Sequence, residues 1–152
     1  MREVKRSALV AQPPSRLFTL INDIASYPRF LPWCTHARVE SRTEREIVAT
    51  IGVKRGPLHG EFTTRNELEP DNRILMHLVS GPFTMLEGQW LLTPIGPDGC
   101  RVELTMRFAF KSSFSAMLFE HMFAETVGSL VEAFVIQSRT APPPARGGEA
   151  DP

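Results

Sequence analysis

Apolar and polar residues alternate along the middle of the chain. The pattern is most regular over residues 100–110, where almost every second side chain is apolar and the positions between them include Arg101, Glu103, Thr105 and Arg107. Successive side chains of a strand point to opposite faces, so this segment predicts a strand with one buried and one solvated face. Similar alternation precedes it, and turn-forming residues at 54–57, 70–72, 80–82 and 94–99 divide residues 37–110 into about five antiparallel strands.

Helical spacing is found nearer the two ends. Residues 4–11 predict a first strand, which makes about six, and Pro14 opens a short helix that is followed by a second, irregular helical turn. Residues 114–137 contain no proline and predict one amphipathic helix of about 25 residues. Its apolar face would carry Ala116, Phe119, Phe123, Val127, Leu130 and Phe134, and its polar face His121, Glu125, Glu132 and Arg139.

These elements predict an α+β helix-grip fold. A curved antiparallel sheet of about six strands needs a cover for its apolar face, and the long C-terminal helix is the amphipathic element that can supply it. Two short helices after the first strand would close the open end. We expect one domain over residues 1–139 and a disordered tail, rich in proline and glycine, over residues 140–152.

An apolar loop, YPRFLPWC at residues 27–34, raises a functional question. Its two prolines exclude a regular helix or a central strand. The loop either gates a cavity between sheet and helix or packs as ordinary core, and the turn SGPF at 80–83 is a second candidate part of the same mouth. The residues concerned are Tyr27, Phe30, Leu31, Pro32 and Trp33.

Composition narrows the possible partners. The 17 basic and 17 acidic residues cancel, so we expect no DNA binding and no general attraction to an anionic membrane, although local patches stay open. No apolar run is long enough for a signal sequence or a membrane span, which predicts a cytoplasmic protein. Cys34 and Cys100 are expected to be reduced and buried.

Catalytic and metal-binding motifs are not found in the sequence. His121 and Glu125 lie on the polar helix face and predict a solvated pair, while Cys34 and His36 lack a second pair of ligands. We therefore predict a protein that is not an enzyme and has no metal or cofactor. Thr64 and Asn66 share the inward parity of Phe62; they could hydrogen-bond a ligand carbonyl but cannot act as a general base near neutral pH.

Several other inward-facing residues are candidates for lining a cavity. They are core by default, and we expect about half of them to contact a ligand. The set is Phe62, Met76, Leu78, Phe83, Leu86, Trp90, Phe108, Phe119, Phe123 and Phe134.

Four segments together resemble a known family: RSALVAQPPSRLFTLINDIASYPRFLPWC, GEFTTRNELEP, SGPFTMLEGQWLLTP and GCRVELTMRFAF. They are similar to the START-like family of coenzyme Q-binding proteins and the ribosome association toxin RatA, whose members were also labelled oligoketide cyclases. The resemblance covers residues 3–137. It implies a helix-grip cavity for a hydrophobic ligand, with ubiquinone the leading candidate and a role in respiration. For the toxin branch it implies binding to the large ribosomal subunit and a block of subunit association.

The three implied functions make different demands on the chain. Ligand binding, our first hypothesis, needs only an apolar cavity. Ribosome binding would use cations of the solvated sheet face, namely Arg65, Arg101, Arg107 and Lys111, although Glu61, Glu67 and Glu103 are interleaved with them. A polyketide cyclase would need an acid or base inside the cavity, and the inward positions supply no convincing one.

Overall fold

Seven strands form one antiparallel sheet in the computed structural model, which describes residues 1–111 and 116–140. The strands are β1 (Arg2–Val10), β2 (Cys34–Arg42), β3 (Glu46–Arg55), β4 (Leu58–Glu69), β5 (Arg73–Ser80), β6 (Phe83–Ile95) and β7 (Gly99–Phe110). Their order in the sheet is β1-β7-β6-β5-β4-β3-β2. The helices are α1 (Pro14–Asn22), a 3₁₀ helix (Ile24–Arg29), α2 (Ala116–Gly128) and α3 (Leu130–Thr140). The predicted α+β helix-grip class is confirmed.

The sheet has seven strands where about six were predicted, because the turn between β2 and β3 contains none of the usual turn-forming residues. Residues 43–45 contain neither glycine nor proline. The turn is instead held by Thr43, whose hydroxyl accepts a hydrogen bond from the Arg45 N–H at 3.2 Å and whose N–H donates to the Glu46 carbonyl at 2.8 Å. A threonine can replace the usual turn residues in this way, since its side chain bonds the backbone locally.

The C-terminal helix is broken, where one continuous helix was predicted. Ser129 separates α2 from α3, and its hydroxyl donates to the Thr126 carbonyl at 2.7 Å. Gly128 lies under the Arg6 guanidinium, since a Cβ at this glycine would be 3.0 Å from an Arg6 nitrogen. A cation is favourable at the carboxyl end of a helix such as α2. The predicted beginning at residue 114 and the tail beyond residue 140 lie outside the described residues.

The core lies between the inner face of the sheet and the helices. The six inward residues of β7 are all at most 6% exposed, which confirms the predicted parity. In the YPRFLPWC loop, Tyr27, Leu31 and Trp33 are buried, while Phe30 is half-buried and Pro32 is exposed. The loop is apolar because most of it packs into this core.

No helix among the described residues is both long and apolar enough to cross a membrane.

Candidate ligand cavity between the sheet and the C-terminal helices

A cavity of about 60 Å³ lies between the inner face of the sheet and the broken C-terminal helix. Strands β3 to β7, the 3₁₀ helix and the loop after it, α2 and α3 contribute to its wall. The residues that line it are Ile24, Tyr27, Trp33, Ile51, Phe62, Thr64, Asn66, Met76, Leu86, Trp90, Met106, Phe123, Thr126, Val127, Leu130 and Phe134.

Aromatic rings close one side of the cavity. Phe134 of α3 packs against Tyr27, Phe30 and Trp90, with ring centroids 5.5 Å apart in each pair and edge-to-face geometry. Such pairs contribute about 0.5–1.5 kcal/mol each beyond their buried area. Phe134, which is 1% exposed, therefore joins α3 to the loop over the cavity.

A second group of rings closes the other side. Phe62 and Phe123 contact each other at 5.8 Å, and both contact Phe83, at 5.6 and 5.2 Å. Beyond them lies a smaller cavity of about 20 Å³, which shares Phe62 and Phe123 with the first. These two rings separate the main cavity from the end of the sheet that carries the β3–β4 and β5–β6 turns.

Asn66 places an unpartnered polar atom in this apolar wall. The residue is 7% exposed, and its Oδ1 has no hydrogen-bond donor. A buried acceptor without a donor costs about 1–3 kcal/mol. Thr64, two residues earlier on the same face of β4, is 5% exposed. A ligand oxygen placed beside this pair would meet groups that can hydrogen-bond with it.

The other polar groups of the wall already have partners. The Thr126 hydroxyl donates to the Met122 carbonyl at 3.0 Å, and the Tyr27 hydroxyl donates to the Ile21 carbonyl. Burial raises the pKa of the Tyr27 hydroxyl above its ordinary value, with smaller contributions from the nearby Cys34 and Asp23. Tyr27 therefore stays protonated at neutral pH. It is the one ionisable side chain among the described residues that line the cavity.

The cavity is several times smaller than sites that enclose drug-sized ligands, which are roughly 300–1,000 Å³. Its wall contains parts that can move at low cost. Met76 and Met106 are unbranched and adopt many shapes, and a Cβ at Gly88 would lie 2.4 Å and 3.2 Å from their methyl groups. The break between α2 and α3 lies next to Thr126, Val127 and Leu130. Shifts of these groups would enlarge the space.

Ten of the residues predicted to contact a ligand line the cavity: Tyr27, Trp33, Phe62, Thr64, Asn66, Met76, Leu86, Trp90, Phe123 and Phe134. Seven do not. Phe108 and Leu31 lie deeper in the core, Phe30 contacts Phe134 from outside, and Pro32 faces solvent. Phe83 lines the smaller cavity, while Leu78 and Phe119 are half-buried elsewhere.

Six lining residues were not among the candidates. Met106, Val127 and Leu130 could have been predicted from the sequence pattern, because each shares the parity or helical face of a predicted core residue. Ile24 precedes the YPRFLPWC loop, and Ile51 lies on β3, whose burial does not alternate cleanly. Thr126 had no signal, since a threonine within a helix is ordinarily unremarkable.

The residues considered for metal binding point in different directions. Cys34 is buried on the inner side, where burial raises the pKa of its thiol to about 11, while the His36 ring lies on the outer face and bonds Glu61 at 2.8 Å. His121 and Glu125 form an exposed pair at 3.8 Å, as predicted. Among the described residues no three His, Cys, Asp or Glu side chains converge. Cys34 and Cys100 are both buried and unbonded to each other.

Many charged side chains on the outer face of the sheet form ion pairs with one another. Arg65 pairs with Glu46 and Glu67, both at 3.2 Å, and Arg107 pairs with Glu87 at 3.6 Å. The pKa of Glu67 is held below its ordinary value chiefly by the hydrogen bond from Arg65. Two of the four cations predicted to bind a ribosome are therefore engaged, and Arg101 and Lys111 lie at opposite ends of β7, roughly 30 Å apart.

A wider groove, of about 470 Å³, crosses this outer face. Its walls include Glu3, Lys5, His77, Glu87 and Arg107, so both signs of charge are mixed along it. The groove is open to solvent and has no apolar floor comparable to the inner cavity. We take the inner cavity as the candidate site.

Comparison with known proteins gives consistent matches. Residues 10–135 match the family described as "Polyketide cyclase / dehydrase and lipid transport". The ribosome association toxin RatA of Escherichia coli K12 is 36% identical over 91% of this chain and 88% of its own length. The mitochondrial coenzyme Q-binding protein COQ10 of Saccharomyces cerevisiae is 29% identical over 86% of this chain and 66% of its own.

Solved structures share the architecture. The Zhui aromatase/cyclase from Streptomyces sp. R1128 superposes with a TM-score of 0.81 at 14% identity, over 91% of this chain and 93% of that one. A START superfamily protein from Mycobacterium smegmatis gives 0.77 at 19% identity, over 92% and 99%. At these identities the likeness concerns the fold.

Proposed function

Since the chain belongs to the family described as polyketide cyclase/dehydrase and lipid transport, we propose that it binds one apolar, oxygen-bearing molecule in the cavity between sheet and helices. A quinone with an isoprenoid tail is the leading candidate. The yeast relative is named as a coenzyme Q-binding protein, which supports this choice and a role in respiratory quinone function. YPRFLPWC would form part of the wall that gates the site.

The buried Asn66 oxygen without a hydrogen-bond donor is the observation on which the proposal rests. An apolar wall with one unpartnered amide oxygen suits a ligand that is mostly hydrocarbon but carries an oxygen function at one end. The tail would supply most of the binding energy, at about 25 cal/mol per Å² buried, and the amide would fix the head. A side-chain amide can rotate, so it can donate to a quinone carbonyl or accept from a hydroxyl.

Tryptophan fluorescence tests the proposal directly. The protein has two tryptophans, Trp33 and Trp90, and both line the cavity. A benzoquinone with a short alkyl tail should quench this fluorescence saturably at one molecule per chain. An added quinone that causes no saturable quenching would contradict the proposal.

Replacing Asn66 by leucine should raise the stability of the protein and lower its affinity for the ligand. We expect the free energy of unfolding to rise by about 1 kcal/mol, because an unsatisfied buried polar group is removed. The affinity for the quinone should fall about tenfold, because the head loses its hydrogen bond. Denaturant unfolding and fluorescence titration measure the two effects.

Asn22 provides the matched control for this substitution. It is also buried, at 8% exposure, but its Nδ2 donates to the Phe18 carbonyl at 3.0 Å, and it does not line the cavity. Asn22→Leu should therefore lower stability and leave quinone affinity unchanged. If Asn66→Leu also lowered stability and left quinone affinity unchanged, Asn66 would have no role in ligand binding.

We propose binding without turnover. The cavity wall offers no carboxylate, imidazole or amine among the described residues, and its tyrosine is held protonated by burial. A general acid or base that works near neutral pH needs a pKa near neutrality. The aromatase/cyclase neighbour supports only the shared fold.

Ribosome association is a second candidate, favoured by the 36% identity to a protein named as a ribosome association toxin across 88% of that protein's length. The protein would then act in the cytoplasm, on the large ribosomal subunit, from its outer surface. The two functions use different surfaces and are compatible in one chain.

Co-sedimentation with large ribosomal subunits at low salt tests the second candidate. If β7 contacts RNA phosphates, Arg101→Gln should weaken pelleting and reduce the salt dependence by about one counterion. Arg65→Gln should do less, because Arg65 is already paired with two glutamates. Wild-type protein that stays in the supernatant would exclude this function.

A further inference from the structure

Side chains of four neighbouring strands form rows across the outer face of the sheet. β1, β7, β6 and β5 are adjacent in this order, and their register places one residue of each strand in every row. Outward rows are about 6.7 Å apart, because every second residue of a strand faces the same side. Two adjacent rows differ in composition, and we call them the apolar row and the charged row.

The apolar row consists of Met1, Ala109, Met85 and Val79. Met85 and Ala109 are partners in the register of β6 and β7 and are half-buried. Met1, immediately before β1, is 72% exposed, and Val79, two residues after His77 on the same face of β5, is 55% exposed. Apolar side chains that adjoin one another on a solvated face indicate an interaction site.

The charged row lies next to the apolar row and consists of Glu3, Arg107, Glu87 and His77. Carboxylates therefore alternate with groups that are cationic or can donate a hydrogen bond. Arg107 and Glu87 are 3.6 Å apart, yet their side chains are 50% and 60% exposed. Each of them can therefore also meet an opposite charge on a second molecule.

The groove of about 470 Å³ makes this part of the outer face concave. It is bordered by the charged row and by the row after it, which consists of Lys5, Thr105, Gln89 and Leu75. Three of these four side chains are uncharged. Side chains of a docked molecule can therefore enter the groove without separating existing ion pairs.

The charged row is complementary to itself under one two-fold rotation. When a second copy lies face to face with the first and the axis runs parallel to the strands, the order of residues in each row is reversed between the copies. Glu87 then faces Arg107 of the second copy, and Arg107 faces Glu87 of the second copy. Glu3 faces His77 at each end of the row. Every carboxylate thus meets a cationic or donor group.

The apolar row fits the same arrangement. Ala109 faces Met85 of the second copy, so a small side chain lies opposite a large one on both sides of the axis. Met1 faces Val79 at the two ends. If the axis instead followed the apolar row, the charged rows of the two copies would lie on opposite sides of it and would not meet. The charges therefore favour the axis parallel to the strands.

We propose that this outer face binds a second copy of the same chain in a two-fold symmetric dimer. Four strands about 4.8 Å apart and four rows about 6.7 Å apart cover roughly 500 Å². A standard interface buries roughly 800 Å² per partner, so the dimer should dissociate at micromolar concentrations. The proposal does not rest on ligand binding, because no residue of the two rows lines the cavity. The dimer would cover Arg107, so ribosome binding through this cation would be confined to the single chain.

Charge reversal tests the arrangement, with sedimentation velocity of the full-length protein over a range of concentrations. The wild type should form dimers as its concentration rises. Glu87→Arg and Arg107→Glu should each weaken the dimer about a hundredfold, because like charges then face each other twice across the axis. Both variants should fold normally, because an exposed ion pair contributes little to stability.

A mixture of the two single variants shows whether positions 87 and 107 face each other. A Glu87→Arg chain has arginine at both positions, and an Arg107→Glu chain has glutamate at both. An equimolar mixture should therefore form dimers with one chain of each kind, which native mass spectrometry resolves by mass. The double variant, Glu87→Arg with Arg107→Glu, should pair with itself like the wild type. Failure of the mixture or of the double variant to dimerise would overturn the proposed arrangement.

Val79→Gln with Met85→Gln tests the apolar row and should weaken the dimer about tenfold, because two apolar contacts are lost. Met117 and Leu118 supply the matched control, since they are 85% and 51% exposed but lie on α2, away from the outer face of the sheet. Met117→Gln with Leu118→Gln should dimerise like the wild type. Equal loss in these two variants would overturn the interface, as would a wild type that remains a single chain at every concentration.

Discussion

Replacement of Phe134 by alanine should lower the free energy of unfolding by about 3–5 kcal/mol. The side chain is 1% exposed and packs against Tyr27, Phe30 and Trp90. Its removal deletes three aromatic contacts and leaves a void beside the existing cavity, where the rigid sheet cannot collapse to fill it. Denaturant unfolding followed by circular dichroism measures the loss.

Two further variants make the prediction testable even if the Phe134→Ala protein is too unstable to purify. Phe134→Leu should cost less than about 1.5 kcal/mol, since most of the volume is kept. Phe119→Ala makes the same chemical change at a half-buried ring whose one ring contact among the described residues is with Phe110. A loss at Phe119 as large as that at Phe134 would mean that α3 is not fastened to the loop through Phe134.

Filling the cavity from Gly88 should greatly weaken ligand binding with little change in stability. A valine there would place its Cβ 2.4 Å from the Met76 methyl and 3.2 Å from the Met106 methyl. Both methyls are ends of flexible chains, so they would move into the cavity rather than strain the sheet. We expect quinone affinity to fall roughly a hundredfold, because the ligand must then displace packed side chains.

Gly60 supplies the control for this substitution. It is also a strand glycine, on β4, but a Cβ there would meet no atom within 4 Å. Gly60→Val should therefore leave quinone affinity unchanged. Unaltered quenching of Trp33 and Trp90 in Gly88→Val would show that the ligand does not occupy the space beside Met76 and Met106.

The sheet was largely predictable because burial of one face fixes parity along a strand. That rule placed Phe62, Thr64 and Asn66 on the inner side correctly. It failed to divide β2 from β3, because Thr43 forms that turn with its own side chain instead of with glycine or proline. A turn that is held by one side-chain hydroxyl is difficult to recognise in a sequence.

The helix break and the cavity depend on contacts that periodicity does not describe. Gly128 alone is tolerated within a helix, and the break also involves Ser129 and Arg6 of β1, whose guanidinium lies against Gly128. Parity predicted that Phe108 and Leu86 face the same way, yet Leu86 lines the cavity and Phe108 does not. Which inward side chains border a void is decided by packing at the scale of one methyl group.

Native mass spectrometry of the full-length protein, purified gently from a quinone-producing host, tests the central claim most directly. Organic extraction would then identify what is bound. We expect one apolar, oxygen-bearing molecule per chain, retained in Gly60→Val and absent from Gly88→Val. A wild-type protein that is empty, and that also shows no saturable quenching with added quinone, would contradict the claim that this cavity is a ligand site.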